Sequence, residues 1–269
     1  MTGRGAWAAA MLLFTAPGMA AAEPSAPAAV GGLQFQPPVG QPMTYRVTTR
    51  RISRGGTLIS FSLVYALDWQ GAGRGYRLDT VLRRIESDAR PELVRALTGL
   101  VRPLVGESVT YLVDAEGRSV ALADPDALWA RVAERTRALA AEATAPEAQQ
   151  VAALLASLPE AEREKLVTAD IRALIAPANA AIPATTDDDA SVSIRHDGGQ
   201  LSIAKVEKGA VAAADRGASA LDIDMLWAID KTTGLVLREQ RQNWIVEPGS
   251  DARTLAEERV RVLTPGDPG

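Results

Sequence analysis

The sequence of 269 residues contains no cysteine and a single histidine. Without cysteine the chain can form no disulfide, has no thiolate nucleophile and cannot carry a lipid on a cysteine side chain. One histidine without cysteine cannot complete the tetrahedral ligand set that zinc requires. We therefore predict a protein with no metal site and no cofactor, whose stability comes from the burial of apolar side chains.

The sequence also lacks an apolar run of the length that spans a membrane, which takes about 20 residues. Its first apolar stretch, Ala6–Phe14, is shorter, follows Arg4 and is followed by the small residues Ala20–Ala22. This order is typical of a cleavable secretory signal peptide. We predict a signal peptide over residues 1–22, no transmembrane anchor after its removal, and a periplasmic protein, with release from the cell as the alternative.

Clusters of basic residues interleaved with aromatic residues are absent as well. The chain carries 29 basic and 33 acidic residues, which gives a formal net charge of −4. A protein that binds nucleic acid needs a positive surface to neutralise phosphates. Nucleic acid is therefore not expected as a partner.

Period-two alternation of apolar and polar residues is the strongest pattern that the sequence does contain. Residues 23–42, rich in Pro, Ala and Gly, show no such period and are predicted to be a flexible leader. From Met43 onward, alternating runs separated by glycine-rich turns predict antiparallel strands. The clearest run places six residues on one face: Ile59, Phe61, Leu63, Tyr65, Leu67 and Trp69.

Helical spacing dominates the middle of the chain. Residues 124–178 are rich in Ala and Leu, and helices are predicted to open at Pro125, at Pro146 and at a capping box formed by Ser157 and Glu160. A further helix is predicted between Asp88 and Leu104. Period-two runs follow this helix, and they return after the helical segment 124–178 and continue to Leu263.

The order of these elements predicts an α+β fold in one domain, residues 43–264. Its core is a curved antiparallel β-sheet, a half-barrel-like meander, covered by the inserted helical segment 124–178. No linker splits the chain into two domains.

Residue types that carry catalysis occur, but not in a recognisable arrangement. His196 lies in a His-Asp-Gly-Gly sequence that is typical of a turn, and no Gly-x-Ser-x-Gly elbow is present. Asp187–Asp189 lacks the glycine and distal glutamate of a calcium loop. Asp222 and Asp224 fall on one face of a strand, about 7 Å apart, near the spacing of paired glycosidase carboxylates, yet alternation with apolar residues favours a solvent-facing position. We therefore predict no catalytic residue.

Aromatic residues make up only 4% of the chain, yet several fall on predicted strand faces. A curved sheet closed by helices can enclose an apolar cavity, as small ligand-binding barrels do. An ordinary packed core would produce the same pattern. The candidate ligand-binding residues are Phe61, Tyr65, Trp69, Tyr111, Trp227 and Trp244.

The segment Trp227–Val236 contains an Asp-x-x-Thr-Gly turn, Asp230 to Gly234, between two strands. In this turn and in the order of its elements, the chain resembles the lipoprotein-carrier fold of bacterial envelopes, a strongly curved antiparallel half-barrel capped by helices. It also resembles uncharacterised exported proteins of similar layout. The resemblance implies a half-barrel that holds an apolar ligand, and the long insert 124–178 departs from it.

Three functions remain open from the sequence. The first is a non-enzymatic periplasmic protein that binds a lipid or another apolar ligand in its curved sheet. The second is an interaction or scaffold protein of the cell envelope, which would bind a protein partner and no ligand. The third is a carboxylate-dependent hydrolase of envelope glycans that uses Asp222 and Asp224.

Overall fold

A computed structural model gives the positions of most of the chain from residue 33 onward. The described residues are 33–52, 58–89, 101–142, 153, 157–183, 191–213, 217–247, 249 and 252–266.

Ten strands form one antiparallel sheet, in the order β5-β4-β3-β2-β1-β10-β9-β8-β7-β6. Neighbours in the sheet are neighbours in sequence except at the centre, where the first strand pairs with the last. Two five-stranded meanders are therefore joined along β1 and β10, and the described strands do not close into a barrel. The strands are β1 Met43–Ile52, β2 Leu58–Ala72, β3 Gly75–Ser87, β4 Ser108–Val113, β5 Val120–Leu122, β6 Val192–Asp197, β7 Gln200–Ala213, β8 Gly217–Asp230, β9 Val236–Val246 and β10 Arg253–Pro265.

One face of this sheet carries the core, and we call it the inner face. Side chains alternate between the two faces along each strand, and buried residues meet in register on the inner face. Tyr45 lies opposite Tyr65 and Leu263, and Trp227 lies opposite Ile203. The outer face carries the intervening positions, which are mostly polar.

The sheet bends toward its inner face. The hydroxyls of Tyr111 in β4 and Tyr45 in β1 donate hydrogen bonds to the carbonyls of Val167 and Asp170, at 2.8 and 3.0 Å. These carbonyls are about 4.5 Å apart along a helix axis, whereas β4 and β1 would be about 14 Å apart in a flat sheet. Two distant strands therefore converge on one turn of a helix.

In the part of the chain that the structure describes, two long helices pack on the inner face, α1 Pro125–Glu142 and α2 Glu160–Leu174. Asp124 caps α1 by accepting a hydrogen bond from the N–H of Ala127 at 3.1 Å. The guanidinium of Arg163 in α2 lies 5.5 Å from the ring of Trp129 in α1. The inward residues of the two helices are Leu128, Val132, Val167, Ile171 and Leu174.

The predicted capping box of α2 is wrong. Pro159 occupies the N-cap position, and no side chain caps the helix there. Its ψ of 150° is extended, so the helix begins after the proline.

Part of the predicted leader contacts the rest of the fold. Phe35 is buried, and its ring packs edge-on against Trp69 and Tyr76 at centroid distances of 5.8 and 5.3 Å. The N–H of Gln36 donates to the carbonyl of Thr233 at 3.0 Å. The sequence analysis did not foresee these contacts within the predicted leader, because a single phenylalanine packs on the core here without any periodic pattern. We call residues 33–38 the N-terminal strap.

The strap joins two hairpins that are distant in the sheet. Gly117, between β4 and β5, and Gly234, between β8 and β9, both have positive φ. A Cβ atom on Gly117 would lie 2.6 Å from the ring of Phe35, and one on Gly234 would lie 2.7 Å from the carbonyl oxygen of Gln34. We call this the strapped end of the sheet and the opposite end, where β2, β8 and β10 begin, the far end.

The predicted fold class is confirmed: an antiparallel sheet that is curved, open and covered by inserted helices. No helix among the described residues is both long and apolar enough to cross a membrane. The predicted helix between Asp88 and Leu104 lies mostly outside the described residues, and its last three residues form a 3₁₀ turn. The signal peptide, the Asp187–Asp189 loop and most of the helix predicted from Pro146 also lie outside the described residues.

Candidate functional site

Three of the predicted aromatic residues belong to the packed core. Trp69 and Trp227 are 0% exposed, and Tyr111 is 4% exposed. Trp69 and Tyr111 lie in the apolar cluster between α1, α2 and strands β1–β5, while Trp227 lies in a second cluster on β6–β9. These three side chains are therefore part of the packed core on the inner face.

Phe61 and Tyr65 are half-buried on the inner face of β2. Phe61 lies opposite Thr49, and Tyr65 lies opposite Tyr45 with a ring-centroid distance of 6.3 Å. Burial raises the pKa of the Tyr65 hydroxyl. Of the six candidates, these two combine the inner face with partial exposure.

Trp244 is on the outer face, since it lies opposite Asp222 in the register of β8 and β9. The guanidinium of Arg253 lies 5.0 Å from its ring centroid, within reach of a cation–π contact. The same guanidinium is 3.6 and 3.3 Å from the carboxylates of Asp222 and Asp224. A glycosidase acid needs a carboxyl group that an apolar setting keeps protonated, so this shared arginine gives the hydrolase alternative no support.

A polar cluster that the sequence analysis missed lies at the centre of the inner face. Arg261 of β10 donates to Asp170 of α2 from Nη2 at 2.8 Å and from Nε at 3.1 Å. Its Nη1 donates to Oε1 of Glu239 of β9 at 2.7 Å. Arg261 and Glu239 are 8% and 5% exposed. We call Asp170, Arg261 and Glu239 the central cluster.

Burial and neighbouring charge act differently on the two carboxyl groups of this cluster. Burial raises the pKa of Glu239, and Arg261 only partly offsets that rise. Burial alone would raise the pKa of Asp170 too, but the charges of Arg261 and Arg259 outweigh it and lower that pKa. The surroundings of Asp170 therefore favour its ionised form, whereas those of Glu239 disfavour its ionised form.

Two polar atoms at the centre of the inner face are buried without a hydrogen-bond partner. They are Oε2 of Glu239 and Nε1 of Trp227, whose residues lie opposite each other on β9 and β8. Buried polar atoms are usually paired, so this acceptor and donor are unusual.

A pair of arginines lies one step farther toward the far end. Arg259 of β10 is directly opposite Arg241 of β9, on the inner face. Nε of Arg259 is buried without a hydrogen-bond partner, while Nε of Arg241 donates to Asn243 at 3.3 Å. Neither guanidinium is in an ion pair within the described part of the chain. We call Arg259 and Arg241 the arginine pair.

The remaining candidates show no catalytic arrangement. His196 is exposed in β6, next to the turn of the β6–β7 hairpin, where the sequence places it. Within the described ranges, no group of three histidine or acidic residues could hold a metal ion.

The three comparisons with known proteins differ in outcome. No family model matches the chain, and no curated protein does. Among solved structures, a DUF1329 family protein from Desulfovibrio piger is similar over 87% of this chain and 85% of that chain, at 12% identity and a TM-score of 0.18. A similarity this weak carries no argument about function.

Proposed function

We propose that this chain is an exported, non-enzymatic periplasmic protein that binds an apolar molecule, such as a lipid or an acyl chain, on the inner face of its sheet. The observation that carries the proposal is that partly exposed apolar side chains occur on the inner face past the central cluster, toward the far end, with polar residues between them. Phe61, Ile59 and Ile223 are half-buried there. A half-buried apolar surface on a curved sheet is the setting in which small barrels hold apolar ligands.

The first test is mass spectrometry of an organic extract from the mature protein, purified from its native periplasm without detergent. We expect a stoichiometric lipid or other apolar molecule in the extract. An empty extract would favour a filled core without ligand.

The second test compares one apolar residue on each face. Phe61→Ala removes a ring from the inner face, whereas Leu226→Ala removes an exposed side chain from the outer face. With the neutral fluorescent probe N-phenyl-1-naphthylamine, we expect Phe61→Ala to weaken binding about tenfold, since the lost ring contact is worth about 1.4 kcal/mol. Leu226→Ala should bind like the wild type, and equal affinity in both variants would contradict a site at Phe61.

The scaffold alternative has one supporting observation. Val206 and Leu226, on neighbouring strands of the outer face, are both 42% exposed. This surface is small compared with a stable protein interface, which buries about 800 Å² on each partner. A protein that co-purifies in place of a small molecule would favour this alternative.

A further inference from the structure

The arginine pair places two like charges at directly opposite positions of the sheet. Residues directly opposite in an antiparallel pair have Cβ atoms about 5 Å apart, and like charges at such positions are destabilising. Arg259 and Arg241 are opposite each other at the centre of the sheet, where β10 pairs with β9.

The carboxylates around the pair are already engaged. Asp170 and Glu239 both bind Arg261. In the neighbouring rows, Glu257 pairs with Arg51 and Glu207 pairs with Lys205. Three guanidinium groups thus face the two carboxylates of the central cluster, which leaves an excess of positive charge at this part of the inner face.

The pair keeps N–H donors that have no acceptor in the described part of the chain. Arg241 is exposed, and Arg259 is half-buried with an Nε that has no acceptor. A guanidinium presents its N–H groups in a planar fork that matches the oxygens of a carboxylate or phosphate. Two adjacent forks form a site for one anionic group.

We infer that Arg259 and Arg241 bind the anionic head group, carboxylate or phosphate, of an amphipathic ligand whose apolar chain lies on the inner face. This inference rests on the proposed function and adds the chemical class of its ligand.

Apolar side chains lie within the length of an acyl chain from this site. Arg259 is opposite Thr49, which is opposite Phe61, so Arg259 and Phe61 are two strand spacings apart, about 10 Å. On the other side, Arg241 is directly opposite the buried Met225. A head group held by the arginine pair therefore brings its chain within reach of Phe61 on one side or of Met225 on the other.

The experiment is a calorimetric titration of the full-length mature protein, freed of lipid, with dodecanoate, dodecyl phosphate and the neutral 1-dodecanol. We expect both anions to bind about tenfold to a hundredfold more tightly than the alcohol, which is the effect of a charge-assisted hydrogen bond. Added salt should weaken the binding of the two anions and leave the binding of the alcohol unchanged. Inorganic phosphate and acetate, which have no chain, should bind far more weakly than the amphiphiles.

The double variant R259Q/R241Q tests the assignment to these residues. It should bind dodecanoate and 1-dodecanol with equal affinity. The matched control is Arg238→Gln, which removes an exposed arginine from the outer face of the same strand and should keep the preference for anions. Arg241→Gln alone should not lower the melting temperature of the ligand-free protein, because it removes the repulsion between Arg241 and Arg259. A lower melting temperature would indicate that Arg241 has a structural role.

The outcomes separate the two proposals. Equal affinity of the wild type for dodecanoate and 1-dodecanol overturns the head-group site but leaves an apolar site in place. No binding of any amphiphile overturns both. If inorganic phosphate binds as tightly as dodecyl phosphate, the arginine pair is a site for free anions, and the proposal of an amphipathic ligand is overturned. If R259Q/R241Q keeps the preference for anions, the head group binds elsewhere, and the assignment to these residues is overturned.

Discussion

Arg261 connects three elements through its side chain. It binds Asp170 of α2 and Glu239 of β9 while belonging to β10 itself. Buried ion pairs contribute little net stability when complete, because desolvation offsets the attraction, but removing one partner leaves an uncompensated charge. The central cluster therefore fixes the position of α2 on the sheet.

Asp170→Asn is expected to destabilise the protein by about 3 kcal/mol, since Arg261 loses its better anion and keeps only Glu239. Urea unfolding followed by circular dichroism measures the loss. Glu162→Gln is the control, because it breaks only the exposed pair with Lys165 on the same helix and should cost less than about 1 kcal/mol. Equal losses in the two variants would contradict a special role for the central cluster.

Glu239 should make the protein less stable as the pH rises. Its pKa is raised from 4.5 by burial, so the native state holds this proton more tightly than the unfolded state does. The stabilising effect of that proton is complete below the unfolded pKa and disappears as the pH rises through the higher native pKa. Glu239→Gln should flatten the loss of stability that begins as the pH rises above 4.5, the ordinary pKa of a glutamate.

Urea midpoints at pH values above 4.5 provide the measurement for Glu239. The exposed Glu247, near the end of the same hairpin, supplies the control variant Glu247→Gln, which should keep the wild-type slope. A slope that survives in Glu239→Gln would assign the pH dependence to another group.

At the scale of elements, the N-terminal strap holds two hairpins together. Phe35 packs on Trp69 and Tyr76 and lies over Gly117, while the backbone of Gln36 bonds the β8–β9 turn. The two meanders, which meet along β1 and β10, thus gain a second connection at the strapped end. This contact requires glycine at the turns, since a Cβ would occupy the place of the strap.

Gly117→Ala should destabilise the protein more than Gly73→Ala, although both glycines have positive φ, +69° and +59°. The backbone cost in each case is about 1 kcal/mol. A Cβ on Gly73 would meet nothing within 4 Å, whereas one on Gly117 would meet the ring of Phe35 at 2.6 Å. Thermal unfolding of the two variants measures the difference, and equal melting temperatures would contradict the strap contact.

At the scale of the whole molecule, the seam between β1 and β10 decides whether a single sheet forms. These strands come from opposite ends of the domain; Arg50 of β1 and Glu258 of β10, which bond at 2.7 Å, are 208 residues apart in sequence. Without β10, the sheet would separate into one meander that ends at β1 and another that ends at β9. Long-range pairing of this kind also slows folding.

A chain that ends at residue 251 is therefore expected not to form the native sheet, as measured by near-ultraviolet circular dichroism. A synthetic peptide of residues 252–266, added in trans, should restore the signal because it supplies the missing central strand. A peptide of the same composition in scrambled order should not restore it. Native-like spectra of the truncated chain alone would show that the seam is dispensable.

The strands and their turns were predictable because period-two alternation is a local property of the chain. The runs at Ile59–Trp69 and Leu221–Ile229 lie within β2 and β8, and the turn at Asp230–Gly234 lies between β8 and β9. The helices opened by Pro125 and near Glu160 were predictable from their spacing for the same reason. The antiparallel, helix-covered fold class follows from that order of elements.

The candidate site was only partly predictable. Phe61 and Tyr65 were identified as aromatic residues on one strand face, but the same pattern placed Trp69, Tyr111 and Trp227 beside them, and these are packed core. Alternation shows which residues share a face of a strand, but it does not show which face packs against the helices. No sequence pattern near Trp244 therefore indicated that it lies on the outer face. The arginine pair had no sequence signal, because its two members lie on different strands.

The sequence by itself determined the elements, their order and the absence of cysteine chemistry, since these depend on residues that are near one another or on composition. The tertiary structure decided the curvature, the strap and the central cluster, because each depends on contacts between residues far apart in the chain. Tyr45 reaches Asp170 across 125 residues, and Arg261 reaches the same residue across 91. Hydrogen bonds and buried charges of this range form only when the sheet has bent around its helix.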